Sequence, residues 1–347
     1  MKKIKLFFFI GLFVFLADKN IYAQQDTQFS QYMFNSVFYN PGFAGIDGLT
    51  RGTVIARQQY LGYQASFDKG GAPQSFALTG SSLTPLLNKS IGIGLNFLYD
   101  KLGPLTTTQA QVSANYLLRF KTSTIGFGAR VGILTQRVSA DYRVNHEDDY
   151  IYQELQGGGG SQMKPDLTLG LVYRNPKFYV GASLSHILKT DFTYGLLKDS
   201  ITSRLKNHLY VTAGYNFDLG TMIQLTPSFI VQSDLKQLTY LFGAVATYND
   251  KFWFGINARE SFARKESGSG GKTISNDDIV FLVGVNLMKN KQNINALRIG
   301  YAFDFVTSGV KAKSNTSHEL LLSYVVIPPW EVLKPKIRTP RYRHDEN

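Results

Sequence analysis

The dominant signal along this chain is alternation of apolar and polar positions with a period of two, running from residue 50 nearly to the end. Ile91, Ile93, Leu95, Phe97 and Tyr99 fall on one side of an extended segment, with Gly92, Gly94, Asn96 and Asp100 on the other. The pattern returns in Leu209, Val211, Ala213, Tyr215 and Phe217, set against His208, Tyr210, Thr212, Gly214, Asn216 and Asp218. It returns again in Leu297, Ile299, Tyr301, Phe303 and Phe305, opposite Arg298, Gly300 and Asp304. Successive strand residues point to opposite faces, whereas a helix repeats every 3.6 residues, so these segments are predicted strands.

Counting such segments predicts about fourteen strands. They begin near Thr50, Pro73, Ser90, Thr107, Ser123, Pro165, Lys177, Asn207, Met222, Gln237, Phe252, Ile279, Asn295 and His318. The number is even, and many run about ten residues, the length a tilted strand needs to cross a membrane. Membrane barrels also have short turns at the periplasmic rim and longer loops at the other. With a periplasmic start, the odd connections should be long, and these include Tyr60 to Ala72, Ser139 to Lys164, Ile187 to Lys206, Lys265 to Asp278 and Val306 to Ser317. The even ones include Lys121-Thr122, Asn175-Pro176, Gly220-Thr221 and Asn249-Asp250-Lys251. Leu102 to Thr106, Asp234 to Lys236 and Met288 to Ile294 break the rule. A soluble sandwich also alternates, but its strands are usually shorter. The expected fold is all-β: a transmembrane outer-membrane β-barrel of about 14 antiparallel strands, spanning residues 50–326.

The flanks read differently. Met1-Lys2-Lys3, the apolar run Leu6 to Leu16 and Ile21-Tyr22-Ala23 have the build of a cleavable signal peptide over residues 1–23, too short to span as a helix. Residues 24–49 are polar and aromatic, broken at Asn40-Pro41-Gly42, and fit either a periplasmic lead-in or a plug folded into the lumen. Residues 327–347 carry Pro328, Pro329, Pro335 and Pro340 with Lys334, Lys336, Arg338, Arg341 and Arg343. Such a tail is extended and cannot pair as a strand, and the strand count puts it in the periplasm.

Composition supports a barrel wall: 25 Phe, 20 Tyr and 32 Gly suit interface girdles and crowded strands. The absence of cysteine excludes a disulfide framework and a thiolate metal site. The net charge of +12 is spread through turns and tail, with no recognition helix, so nucleic acid is not an expected partner. Candidate chemistry is thin. Gly268-Ser269-Gly270-Gly271-Lys272-Thr273 has the look of a phosphate loop, but Glu266 stands where that motif needs its first glycine, so this is a surface loop, as is the run Gly157 to Gly160. His146, His186, His208, His318 and His344 lie far apart without metal-site spacing, so no metal or cofactor is expected. Inward carboxylates Asp166, Asp304 and Glu319 could suggest acid/base work. Inward Arg130, Arg174, Arg259 and Arg298 make lumen ion pairs the better reading, and the chain reads as non-enzymatic.

The lead-in from Gln25 through Gln28, Phe29, Tyr32 and Asn35, followed by Tyr39-Asn40-Pro41-Gly42-Phe43-Ala44-Gly45, resembles the opening of the PorP/SprF proteins of Bacteroidetes. Further similar blocks are Arg57-Gln58-Gln59-Tyr60-Leu61-Gly62, Pro165 to Gly170, Phe178 to Gly181, His208 to Tyr215, Ile299-Gly300-Tyr301 and Ser317-His318-Glu319. The family's pattern has Trp where this chain has Tyr60, and Ser139 to Lys164 reads as an inserted surface loop. The resemblance implies an outer-membrane component of type IX secretion and gliding that couples an exported adhesin, through its carboxy-terminal domain, to periplasmic components. It marks Gln28, Tyr32, Asn35, Asn40, Pro41 and Gly45 as the family's lead-in residues. The basic tail would supply a further partner surface. A passive porin or hydrophobic-solute transporter is the alternative.

Overall fold

The computed structural model describes residues 26–62, 72–139, 160–194, 201–234, 237–263, 273–289, 295–307 and 316–327. The expected signal peptide and residues 328–347 of the tail, with Lys334, Lys336, Arg338, Arg341 and Arg343, lie outside them. The strands are β1 (Thr50–Gln58), β2 (Gln74–Leu83), β3 (Ile91–Leu102), β4 (Leu105–Arg119), β5 (Thr124–Val138) and β6 (Ser161–Arg174). They continue as β7 (Phe178–Ser185), β8 (Asp191–Tyr194), β9 (Ile201–Arg204), β10 (His208–Tyr215), β11 (Phe217–Leu219) and β12 (Ile223–Ser233). The last are β13 (Gln237–Tyr248), β14 (Phe252–Ala263), β15 (Thr273–Lys289), β16 (Asn295–Val306) and β17 (Ser317–Val326).

Each ring strand pairs antiparallel with its neighbour in the chain, β7 passing to β10 and β10 to β12, and β1 closes the ring on β17 through Thr50↔Val326 to Gln58↔His318. The result is a closed barrel of fourteen strands. β11 continues the line of β10 and pairs only with β12, while β8 and β9 form a hairpin of their own in the long connection after β7. Four-residue strands are too short for periodicity to reveal, which is why that connection reads as plain loop in the sequence. β15 starts at Thr273 and β6 at Ser161, several residues before the alternation begins. Both extensions lie at the long-loop rim, where neither face meets hydrocarbon and polar residues need not alternate.

Two prolines within strands show how the ladder tolerates a missing N–H. Pro165 lies in the stretch of β6 that precedes its β7 pairing, which begins at Leu169. Pro227 of β12 faces the interruption between β10 and β11. Each proline sits where one neighbouring strand is missing.

Burial is inverted relative to a soluble sandwich. Outward residues are large, apolar and exposed, as with Leu95 at 62%, Phe281 at 51% and Leu320 at 60%. Inward charges are buried, with Arg57 at 3% and Asp304 and Glu319 at 0%. Near the short-turn rim, aromatic side chains neighbour one another around the wall: Tyr173 with Phe178, Phe178 stacked on Tyr215, and Tyr215 with Phe217. Phe281 pairs across the ladder with Ile256 and Phe303 in the middle of the wall. Phe281→Arg is therefore expected to lower stability in lipid vesicles by about 2–4 kcal/mol, measured by urea unfolding, because a cation there meets hydrocarbon. An unchanged midpoint would place this face away from lipid.

Candidate functional site: the seated lead-in and its anchors

Residues 26–49 thread the barrel interior as a series of short turns: Tyr32–Phe34 and Pro41–Phe43 are 3-10 turns, and Ser36–Tyr39 is one helical turn. Local sequence dictates the sharpest of these. The Asn40 side-chain oxygen accepts from Gly42 N at 2.8 Å, and Pro41 presets the first residue of the turn. The Asn40 amide then donates to the carbonyls of Leu171 (3.1 Å) and Ala182 (3.0 Å) on β6 and β7. Phe29, Tyr32, Phe38 and Tyr39 pack with Ile55, Leu98, Tyr210, Ile230 and Leu321 from around the wall. Amphipathic turns of this kind bury their rings in mid-lumen and spend backbone polar groups on strand side chains.

The wall makes room for this backbone. A Cβ added at Gly92 would stand 2.0 Å from the Ala44 carbonyl oxygen, and one at Gly128 2.3 Å from the Pro41 carbonyl carbon. No residue but glycine fits at such approaches. Asn115 donates to the carbonyls of Gly42 (2.7 Å) and Ala44 (2.8 Å), and Ser183 to that of Tyr39 (2.7 Å). Arg130 donates to the Phe38 carbonyl at 2.7 Å and the Val37 carbonyl at 3.2 Å, serving the end of the helical turn.

At the centre stands Ser30. Its hydroxyl donates to the Asp304 carboxylate and accepts from Arg57 (2.6 Å) and Arg259 (2.8 Å). Its backbone N–H and that of Gln31 donate to the two oxygens of Glu319, at 2.8 and 2.9 Å, while Asn257 donates to its carbonyl at 3.1 Å. Around it Arg57 pairs with Asp304 (2.5 Å) and Glu319 (3.2 Å), and Arg259 with Asp278 (2.8 Å) and Asp304 (3.1 Å). Two guanidiniums and three carboxylates thus meet at one lead-in residue.

A second anchor holds the start of the lead-in. Asp26 accepts from the Tyr210 hydroxyl and lies 3.1 Å from His186 Nε2, while His186 Nδ1 lies 3.0 Å from Asp166. His208 stands beside them, its ring centroid 5.7 Å from that of His186. One ligand-type atom each of Asp26, His186 and His208 lies within 4.8 Å of the others. Both nitrogens of His186 already face carboxylates, so the geometry is that of an imidazolium bridging two anions. Burial opposes the charged ring, but Asp26 and Asp166 raise the pKa of His186, one residue past β7, to about 10. Burial likewise opposes ionisation of Asp26, and the neighbouring imidazoles and the Tyr210 hydroxyl nonetheless hold it well below the usual carboxylate range.

The structure sorts the residues singled out by sequence. Tyr32 shares a hydrogen bond with Ser228 (2.9 Å), Asn35 accepts from Thr79, Asn40 and Pro41 form the turn, and Gly45 takes a positive φ of 66° against β2 and β3. Gln28 lies half-buried beside them. Of the four arginines expected in lumen ion pairs, Arg259 makes one. Three need correction: Arg130 meets carbonyls instead, and neither Arg174 nor Arg298 has a carboxylate partner among the described residues. Asp304 and Glu319 are taken up by Arg57, and Asp166 by His186 and Gln111. The expectation that the histidines stay apart is also corrected, since closure of β7 on β10 brings His186 and His208 together. Asp26, Ser30 and Arg57 lie within blocks similar to the family, but nothing in the sequence marks them as anchors; only alternation along Thr53, Ile55 and Arg57 points the last inward.

An antiparallel barrel that is apolar outside, charged within and asymmetric at its rims is an outer-membrane protein, its short turns periplasmic. More particularly, the chain belongs to the type IX secretion system membrane protein PorP/SprF family, which it matches over residues 21–324. Among solved structures it is similar to the CymD monoaromatic hydrocarbon channel, with 12% identity, 85% of this chain and 91% of that one covered and a TM-score of 0.48. It is similar to a Pseudomonas aeruginosa FadL homologue (12%, 84% and 94%, 0.46) and to Omp33 of Acinetobacter baumannii (9%, 80% and 99%, 0.43). These likenesses carry no argument about function. A search of curated proteins gives no match.

Two outcomes follow from the anchors. Gly92→Ala should unseat residues 42–46, seen as amide exchange accelerated at least tenfold at Ala44 and Ile46 while the strands stay protected; unchanged exchange would refute the close fit. The His186 contribution is complete below its unfolded value near 6.5 and is lost as pH rises through about 10, because its folded pKa is raised. The urea midpoint of the wild type should therefore exceed that of His186→Gln near neutral pH, with the gap closing above that value. A gap that widens with pH would reverse the assignment.

Proposed function

We propose that this protein is a closed coupling barrel of the type IX apparatus, holding an exported cell-surface adhesin at its long extracellular loops and meeting secretion or gliding components in the periplasm. Family membership supports the secretion role. The observation that carries the coupling reading, against a passive porin, is the seated lead-in. It is fixed by Ser30 at the centre, Asp26 toward the long-loop rim and Asn40 beside β6 and β7, and it fills mid-lumen with aromatic rings. A solute path through that section would have to dismantle several buried charged hydrogen bonds at once. The wall and its rims are then the working surfaces. We assign recognition of the adhesin's carboxy-terminal domain to the loops, and assembly with the apparatus to the periplasmic rim and the basic tail over 327–347.

The test is purification from outer membranes in mild detergent with mass spectrometry of the associated proteins, beside conductance of the isolated barrel in planar bilayers. A large exported surface protein or periplasmic secretion components should co-purify, and the barrel should stay electrically silent. A solitary barrel with steady conductance would instead establish the porin reading. Ending the chain before Pro328 should reduce recovery of periplasmic components severalfold without loss of the barrel; equal recovery would remove the tail from the proposal.

A further inference from the structure

Below the lead-in, the periplasmic end of the lumen remains open as a cavity of about 300 Å³. Three inward-facing arginines line it: Arg51 on β1, Arg174 at the end of β6 and Arg298 on β16. Among the described residues the lining has one carboxylate, Asp47, already 3.2 Å from Arg51. Arg298 donates from Nε to Asn286 at 2.8 Å and lies over the Phe34 ring, 4.3 Å from its centroid, with no anion beside it among the described residues. Arg174 has no ion pair either among those residues. Arg51 and Arg298 are close enough for their like charges to oppose one another.

The same barrel neutralises Arg57 and Arg259 fully, a short way up the lumen, so acidic side chains could have been placed here as well. Cations gathered in a partly enclosed cavity bear a desolvation and repulsion cost that an anionic occupant reverses. Basic residues on the periplasmic turns, such as Lys121 and Lys177, can be satisfied by lipid headgroups outside the wall. Side chains directed into the lumen cannot. The remaining lining is largely apolar or neutral, with Phe34, Val37, Phe43, Ile46, Tyr179 and Val245. The cavity therefore suits a short length of chain that presents carboxylates beside apolar side chains, and guanidinium forks bind carboxylates bidentately.

We propose that this vestibule is a docking site for an acidic polypeptide segment of a periplasmic partner, its carboxylates held by Arg51, Arg174 and Arg298 and its apolar side chains set against Phe34, Phe43 and Ile46. The proposal deepens the coupling reading and rests on it for the existence of a periplasmic partner, whereas binding of the acidic segment is measurable without it. The roof of the site is the lead-in itself, through residues 33–37, 43, 46 and 47. An occupant would thus touch the segment that the lumen network holds.

The test uses the full mature barrel in uncharged detergent and fluorescence anisotropy of a labelled peptide of alternating Asp and Leu. Its Asn/Leu and Lys/Leu counterparts serve as controls, and inorganic phosphate as competitor. The acidic peptide should bind at least tenfold more tightly than either control. Arg174→Gln, at the open mouth where folding does not depend on it, should weaken binding about tenfold with an unchanged melting temperature, and Arg51→Gln should act likewise. Equal binding of the Asn/Leu peptide, or no effect of either substitution, overturns the site. Full displacement by phosphate at the concentration of the peptide would make it a simple anion site and overturn the polypeptide assignment. Tight binding only after removal of residues 328–347 would give the site to the chain's own tail and do the same. If partners co-purify from membranes while the peptide fails to bind, the vestibule assignment falls and the coupling reading stands. If the peptide binds and the barrel is solitary, the reverse holds.

Discussion

The buried ion network around Ser30 is the constraint on which the rest of the structure depends. Arg57, Arg259, Asp278, Asp304 and Glu319 come from β1, β14, β15, β16 and β17, and their charges are almost wholly withdrawn from water. Removing one partner of such a group leaves an uncompensated buried charge, at about 3–5 kcal/mol. The strands alone do not saturate it: two oxygens of Glu319 and further lobes of both guanidiniums are met by the Ser30 and Gln31 backbone and the Ser30 hydroxyl. Wall and lead-in are therefore one folding unit. The closure of β1 on β17, which places Arg57 across from Glu319, is also the step that builds the seat.

Glycine does on the other side of the lumen what charge does on this one. Where β3 and β5 pass the Pro41 to Gly45 backbone, the inward positions are Gly92 and Gly128, and Asn115 between them ties down two carbonyls. The chain is held by close approach where it is bare backbone and by ions where it offers N–H groups. This division explains how a segment with so little regular structure is held: its turns close on hydrogen bonds of their own, and many of the groups left over are met by side chains of the wall.

The wall was legible from alternation because membrane and lumen impose opposite chemistry on successive residues. Strands such as β1, β13, β14 and β16 begin at the residue the pattern indicates, and β15 does not because Ser275 to Asp278 lies beyond the apolar band. The inward direction of Asp304, Glu319 and Arg259 was legible in the same way. Their partners were not, since Arg57 and Glu319 are 262 residues apart and meet only through ring closure. Spacing in the sequence likewise said nothing of His186 and His208, which antiparallel pairing of β7 with β10 sets side by side across a long connection. Face is a local property, and neighbourhood is a property of topology.

A barrel fixed in this way has little freedom to work by moving its interior. The lead-in is anchored near both ends of its path, at Asp26 among His186, Tyr210 and Asp166, and at Asn40 to Gly45 against β3 to β7. Its two ends are also the parts nearest the two rims. Extracellular loops rise from the strands that hold Asp26, and the periplasmic vestibule is roofed by residues 33–37 with Arg51, Arg174 and Arg298 around it. The lead-in thus reaches from one rim region to the other and is tied to the wall along its path by buried hydrogen bonds and ion contacts. Continuity of that kind between the two rims is what the proposed coupling role would use. It follows here from the same buried charges that close the lumen.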